Sequence, residues 1–396
     1  MALDRWSLRN IVVINLLAAV TLAPACLQDR DTLSKEALGH LDVVDTIVGR
    51  FDRNPPLYFE MRLARVSKEI KTNSKQFELY DDAAVACDRL GRDDEAIQWI
   101  EQKKSQMAPL DMHDSKSVFR WYRYYANCGT FWAHRWIGHG GSPEKLNDLQ
   151  HARDLIAQAI KVNPEAHGGR EGYQLMTMNW LIDVKEGKSD IYGLGDYIEE
   201  RLRKDSVRPI QMETGPETPE YAEAVKGLCG LIQLGAAWRS IDTYLALDYI
   251  LQMKDANVGH LAGLRAVELF KDGGVSMLPD FNKELPEMAP YIDSMIMPMA
   301  RYQRNPKIDQ MYAKLRANAD AWEANRNAFM LAKLKAGKHP DTDPDFWQGY
   351  VEVPRVDIDP EGTQKRNWWI VGVVIFVVTV GAWILFRRRA RRNLAR

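Results

Sequence analysis

The sequence predicts an all-α protein built as an array of packed helices, and three observations carry that expectation. Apolar residues recur with helical periodicity from about residue 31 to 336. No convincing run of alternating apolar and polar residues reads as a strand. Breaks rich in proline and glycine fall at 54–56, 108–114, 139–144, 208–220, 272–290 and 337–346, and the segments between them are one or two helices long. Proline lacks an N–H and fixes φ, and glycine takes the left-handed cap, so such breaks end helices. The 396 residues suffice for two or three domains or for one long array.

The first element is residues 1–25. Arg5 and Arg9 precede an apolar run from Ile11 to Ala23, and "APAC" follows. This is the three-part form of a secretory signal, too short for a comfortable membrane span. Ala23 and Ala25 suit cleavage before Cys26. The stretch also resembles a bacterial lipobox, which implies lipidation of Cys26. It departs from that pattern in carrying Ala23 where leucine is commonest, with Pro24 beside it. Plain cleavage and an uncleaved anchor are the other readings, and all three place the middle of the chain outside the cytoplasm.

Residues 31–207 form the first helical block, and within it one pattern recurs. "YDDAAVACDRLGRDDEAIQWIEQ" puts Tyr80, Ala83, Ala84 and Cys87 at offsets 0, 3, 4 and 7, with Gly91 in the turn and Ala96 and Ile100 on the next helix. "YANCGTFW" repeats those offsets with Tyr125, Cys128, Gly129 and Trp132. "HARDLIAQAIKVNPEA" then supplies Ala152, Ile156, Ala159 and Pro164 at 0, 4, 7 and 12. Small residues where two helices cross, closed by a proline, resemble tetratricopeptide repeats over about 76–166, with a plausible continuation in 170–187. The resemblance implies an α-solenoid whose first helices line a concave face. In that register Asp81, Asp88, Arg89, Arg123 and His134 point into the groove. The second unit departs from the family: Cys87 to Ala96 is 9 residues but Trp132 to Ala152 is 20, which puts its inter-helix turn in doubt.

Residues 217–335 are read as a further helical region. Three helix-like segments occupy 219–273, spaced too loosely for the same repeat. The stretch 308–335 has no proline or glycine, and Ile308, Tyr312, Leu315, Ala319, Trp322 and Phe329 follow a 3-4 spacing that Arg326 and Lys333 interrupt. It reads as one helix of roughly 40 Å, either packed along the array or standing as a stalk. Residues 336–367 read as an extended linker.

The stretch 368–386 holds 19 residues without a charge, about the thickness of a bilayer's hydrocarbon as a helix. Trp368 and Trp369 mark one end, and the basic tail 387–396 follows the other, so the positive-inside rule puts the C-terminus in the cytoplasm. The expected location is a bacterial inner membrane, single-pass, with the main domain periplasmic. The ends hold eight basic residues and one acidic, which leaves 45 basic and 53 acidic residues in the middle and argues against nucleic acid as a partner. With no CxxC, the four cysteines suggest neither zinc nor thioredoxin chemistry, and Cys87, Cys128 and Cys229 read as buried thiols.

No catalytic set stands out. "GHGGS" at 138–142 resembles the His-Gly-Gly oxyanion loops of esterases, but no GxSxG nucleophile accompanies it, so it reads as a turn. His134, His139 and His151 match no metal-ligand spacing, and no metal or other cofactor is expected. Eight of the eighteen residues from Phe119 to Trp136 are aromatic. Tyr124, Phe131 and Arg135 fall on a strip beside the core face, which either lines a groove or packs on the adjacent helix pair. The expected function is a membrane-anchored scaffold that docks a protein or peptide partner. The alternatives are an all-helical hydrolase of envelope polysaccharide and a structural subunit of an envelope or secretion complex.

Overall fold

The structure is a computed structural model that describes residue 30 and residues 42–356, apart from 112–113, 116, 165–168, 192, 206–218, 253–254 and 279–305. The signal-like segment 1–25, Cys26, the apolar stretch 368–386 and the basic tail lie outside the described residues. Among the described residues the fold is all-helical, without strands, and no helix there is long and apolar enough to cross a membrane.

In chain order the helices are α1 (Val43–Val48), α2 (Pro56–Thr72), α3 (Phe77–Arg89), α4 (Asp93–Met107), α5 (Val118–Gly138), α6 (Leu146–Val162), α7 (Arg170–Lys185), α8 (Leu194–Asp205), α9 (Pro219–Gln233), α10 (Ile241–Gln252), α11 (Ala256–Lys271) and α12 (Pro306–Lys335). Their ends follow local chemistry. Asp42 caps α1 by accepting from the Asp45 amide at 2.8 Å, and Gly49 closes it at φ 77°. Pro56 opens α2, where a missing N–H costs nothing. Gly91 turns α3 into α4 at φ 71°, and Asp93, Asp94 and Glu95 put negative charge on the first turn of α4.

Consecutive helices from α2 to α7 pack on one another, and α3 also packs on α5 across the intervening pair. Farther on, α7 packs on α9 and α8 on α10, while α10 and α11 form another close pair. The closest crossings are made by glycine. A Cβ on Gly129 would stand 2.9 Å from the Ala152 carbonyl oxygen and the Ile156 side chain, and one on Gly227 would meet the Tyr173 ring at 2.1 Å. The eleven extra residues of the second pair are absorbed without disturbing this crossing. α5 runs past Trp132 to Gly138, and a 3-10 turn at Pro143–Lys145 leads into α6.

The long helix α12 packs along the array, against α11, α1 and α2. Its buried stripe is Ile308, Leu315, Ala319, Trp322, Arg326, Met330 and Leu334. The first half of that stripe joins the core of α1 and α5–α11, and Met330 and Leu334 join the core of α2–α5. Arg326 is part of the seam, because its charge is spent: it pairs with Asp52 at 3.0 Å, donates to the Arg53 carbonyl at 3.2 Å, and lies over the Trp347 ring. Residues 336–356, expected as linker, run back along α12. Asn325 donates to the Val351 carbonyl and Asn318 to the Pro354 carbonyl.

At the turn after α12, Asp341 is buried among cations. Arg62 donates to both its oxygens at 2.8 and 2.6 Å, Arg65 donates to one, and Arg30 lies 3.6 Å away. Burial alone would raise its pKa. The hydrogen bond and charge of Arg62, with Arg30 and His339, outweigh that and hold it at about 2.

Two stability measurements check these contacts. Gly129→Ala should cost about 1–3 kcal/mol by overpacking the α5–α6 crossing. Gly172→Ala on α7, where nothing lies within 4 Å, should instead gain roughly 0.5–1 kcal/mol of helix propensity. Urea unfolding that moves both variants the same way contradicts this crossing geometry. For Asp341 the folded pKa lies below the ordinary carboxylate value, so its contribution is full above about pH 4 and vanishes as pH falls towards 2. Asp341→Asn should therefore cost about 2 kcal/mol at pH 7 and converge with wild type in acid, which unfolding curves across pH will show.

Candidate functional site

The first-helix positions expected to face a groove are mostly interior. On α3 the residues from Leu79 to Asp88 are buried without a break, and α5 is buried on most of its circumference. Buried charge needs a partner, and each acid here has one. Asp81 accepts from Lys103 at 2.6 and 2.8 Å, from Arg123 at 2.8 Å and from Asn127 at 3.1 Å. Two expected groove residues, Asp81 and Arg123, thus neutralise each other. Asp82 is paired by Arg30.

The aromatic strip divides. Tyr124 and Phe131 are buried in the core shared by α2–α5. The Tyr124 hydroxyl donates to Glu101 of α4 at 2.7 Å, and burial next to that carboxylate raises its pKa. Cys128 sits beside the same carboxylate. Burial pushes the Cys87, Cys128 and Cys229 thiols up to about 12, so all three stay protonated, and all three are free.

Arg135, the third member, reaches the surface at the end of α5. Its guanidinium covers the Trp132 ring at 3.8 Å and pairs with Asp94 at 3.2 Å and Asp148 at 3.1 Å. His151 of α6 makes an edge-to-face contact with Trp132, with ring centroids 4.8 Å apart. On another face of α5, His134 Nδ1 lies 2.5 Å from the Asp88 carboxylate. Arg89 leaves α3 towards the connection between α9 and α10, stacking over Trp238 at 4.6 Å and donating to the Leu234 carbonyl. The structure therefore places Asp88, His134, Trp132 and Arg135 towards one end of α3 and α5, with Phe131 in the core beneath Trp132 and with Arg123 and Tyr124 two or more turns away along α5.

The repeat-pattern residues are placed at helix contacts. Tyr80, Ala84, Ala96, Ala152 and Ala159 are buried, Gly91 makes the α3–α4 turn, and Pro164 follows the end of α6.

Asp93 joins this end of the molecule and was not evident from the sequence. Gly138 leaves room for it, since a Cβ there would lie 3.3 Å from the Asp93 carboxylate. Burial, then the negative charge of Asp88, raise its pKa to about 6 against the opposing pull of His134. Asp94, Asp148 and Trp238 were equally invisible, because each comes from a helix or turn whose approach only the packing creates.

The His-Gly-Gly turn has a structural use. The amides of Gly140 and Gly141 donate to the Ile137 and Trp136 carbonyls at 2.7 and 3.1 Å, closing α5, and are thereby taken from any oxyanion. Among the described residues no three His, Cys, Asp or Glu side chains are grouped to hold a metal ion. The arrangement presents a partly exposed Trp–Arg stack rimmed by Asp94 and Asp148, with a buried Asp88–His134 pair on another face of α5. No protein-family model matches the chain, and neither a curated relative nor a solved structure matches it.

Asp93 makes the stability of this end pH-dependent. Its folded pKa lies above the ordinary value, so ionisation is penalised and stability falls as pH rises from about 4 through 6. Asp93→Asn should be more stable than wild type at pH 8 by about 1 kcal/mol, its partial exposure screening the remainder, and equal to it near pH 4. Thermal unfolding at the two pH values checks the sign.

Proposed function

We propose that the chain is a membrane-anchored, extracytoplasmic scaffold in which a tetratricopeptide-like helical array docks a protein or peptide partner. The observation that carries this reading is the stack of helix pairs with small residues at the crossings, together with a partly exposed Trp132–Arg135 face on α5. Stacked helical pairs present long surfaces built for other chains, and a tryptophan under an arginine is the kind of anchor that supplies binding energy at low entropic cost. The 19-residue charge-free stretch and the basic tail after it support the anchor and the orientation. A bacterial inner membrane with the array in the periplasm fits those features, with Cys26 as the lipidation candidate.

In-cell crosslinking of the full-length protein, followed by pull-down, tests the docking reading. Arg135→Glu reverses the charge of a residue 20% exposed and should abolish recovery of a specific partner while helicity stays at the wild-type level. Tyr124→Ala and Phe131→Ala are unsuitable probes, since both side chains are core. Failure of the wild type to recover any distinct partner, or equal recovery with Arg135→Glu, removes the support for docking at this face.

A further inference from the structure

The segment after α12 carries a surface feature that the docking face does not use. Phe346 is buried beneath the end of α12 with Met330 and Leu334. Above it Phe329, Trp347 and Tyr350 form a cluster of rings, with centroids 5.9 Å apart for Phe329 and Trp347 and 5.4 Å for Trp347 and Tyr350. Trp347 is 37% exposed and Val351, one helical-turn spacing on in sequence, is 78% exposed. Cations frame the rings: Arg326 lies over Trp347 and Lys333 over Phe329.

We infer that this aromatic cluster is a lipid-contact platform that seats the array on the bilayer interface beside its own membrane segment. The inference rests on the reading of 368–386 as that segment. Tryptophan favours the headgroup level, where the ring is buried and the polar edge stays wet, and a lysine can lay its stem along the rings; the Tyr350 hydroxyl is buried, so Tyr350 supports Trp347 from beneath. Chain geometry allows the contact. The described chain ends at Val356, held near the first half of α12 by the bond from Asn318 to Pro354. Residue 318 lies roughly 16 Å along the helix from Phe329. Residues 357–367 then span at most about 40 Å before Trp368. A tether that short holds the cluster at high effective concentration against the bilayer. The charge balance favours lipid over a charged protein partner. Between 333 and 356 there are four bases (Lys333, Lys335, Lys338, Arg355) and four acids (Asp341, Asp343, Asp345, Glu352), so ring insertion, and not attraction to acidic groups, supplies the contact.

The test uses the full-length protein with the photocrosslinking amino acid benzoylphenylalanine replacing Val351, or in a second sample Lys188 on the turn after α7. Each is reconstituted into phosphatidylcholine nanodiscs, irradiated and read by mass spectrometry. Lipid adducts at position 351, with none above background at 188, are the expected result. A protein that enters nanodiscs but gives no lipid adduct at 351 overturns the platform while the membrane segment stands. Adducts at 351 to a second copy of the chain overturn it in favour of self-association. A protein that does not associate with nanodiscs at all removes the membrane segment, and the platform falls with it.

Discussion

A stack of helices leaves an unburied apolar face at each end, and the covering of those faces by α12 is the constraint on which the rest of this structure depends. Thirty residues of helix are roughly 45 Å long, enough to lie on α11 and α1 with one half and on α2 with the other. Its hold is as polar as it is apolar. Arg50 and Arg53 reach Asn318 and Glu323 on the helix, Arg316 pairs with Glu268 of α11, and the turn beyond it delivers Asp341 to Arg62 and Arg65. Ring stacking of Arg326 on Trp347 and the returning chain from 348 to 356 then follow the same helix.

Enclosure of α3 and α5 by α2, α4 and α6 has an electrostatic consequence. α3 and α5 are buried on nearly every face, yet α3 carries Asp81, Asp82 and Asp88. An unpaired carboxylate there would cost several kcal/mol, and each is matched by a cation or histidine from another element: Lys103 and Arg123, Arg30, and His134. Charges that would line an open groove are in this molecule internal ties. At the end of α5, Arg135 and Trp132 reach the surface between α4 and α6, with Arg135 paired to Asp94 and Asp148.

Much of the fold was legible along the chain because helix boundaries and small-residue crossings are local signals. Gly129 and Ala152 announce a close approach by their size and spacing, and the proline and glycine breaks mark the turns. The candidate site was legible only in part. Asp88, His134 and Arg135 could be singled out by helical register, but register cannot tell a groove from a neighbour's core. Tyr124 and Phe131 fell on the same strip as Arg135 and are interior. Arg326 looked like a fault in an apolar seam, since the partners that neutralise it, Asp52 and the Arg53 carbonyl, are more than 270 residues away.

By itself the sequence determined the helical class, several of the helix ends though not the break between α2 and α3 at 73–76, the small residues at their crossings, and the apolar stretch and basic tail beyond residue 367. These depend on interactions within a few residues, where backbone chemistry and side-chain volume act directly. Tertiary structure decided which faces became interior, which acid met which base, that α12 lies along the array with 336–356 folded back on it, and that burial, with Asp88 nearby, pushes Asp93 up to about 6. Those outcomes depend on distances between segments far apart in the chain, and only packing sets them.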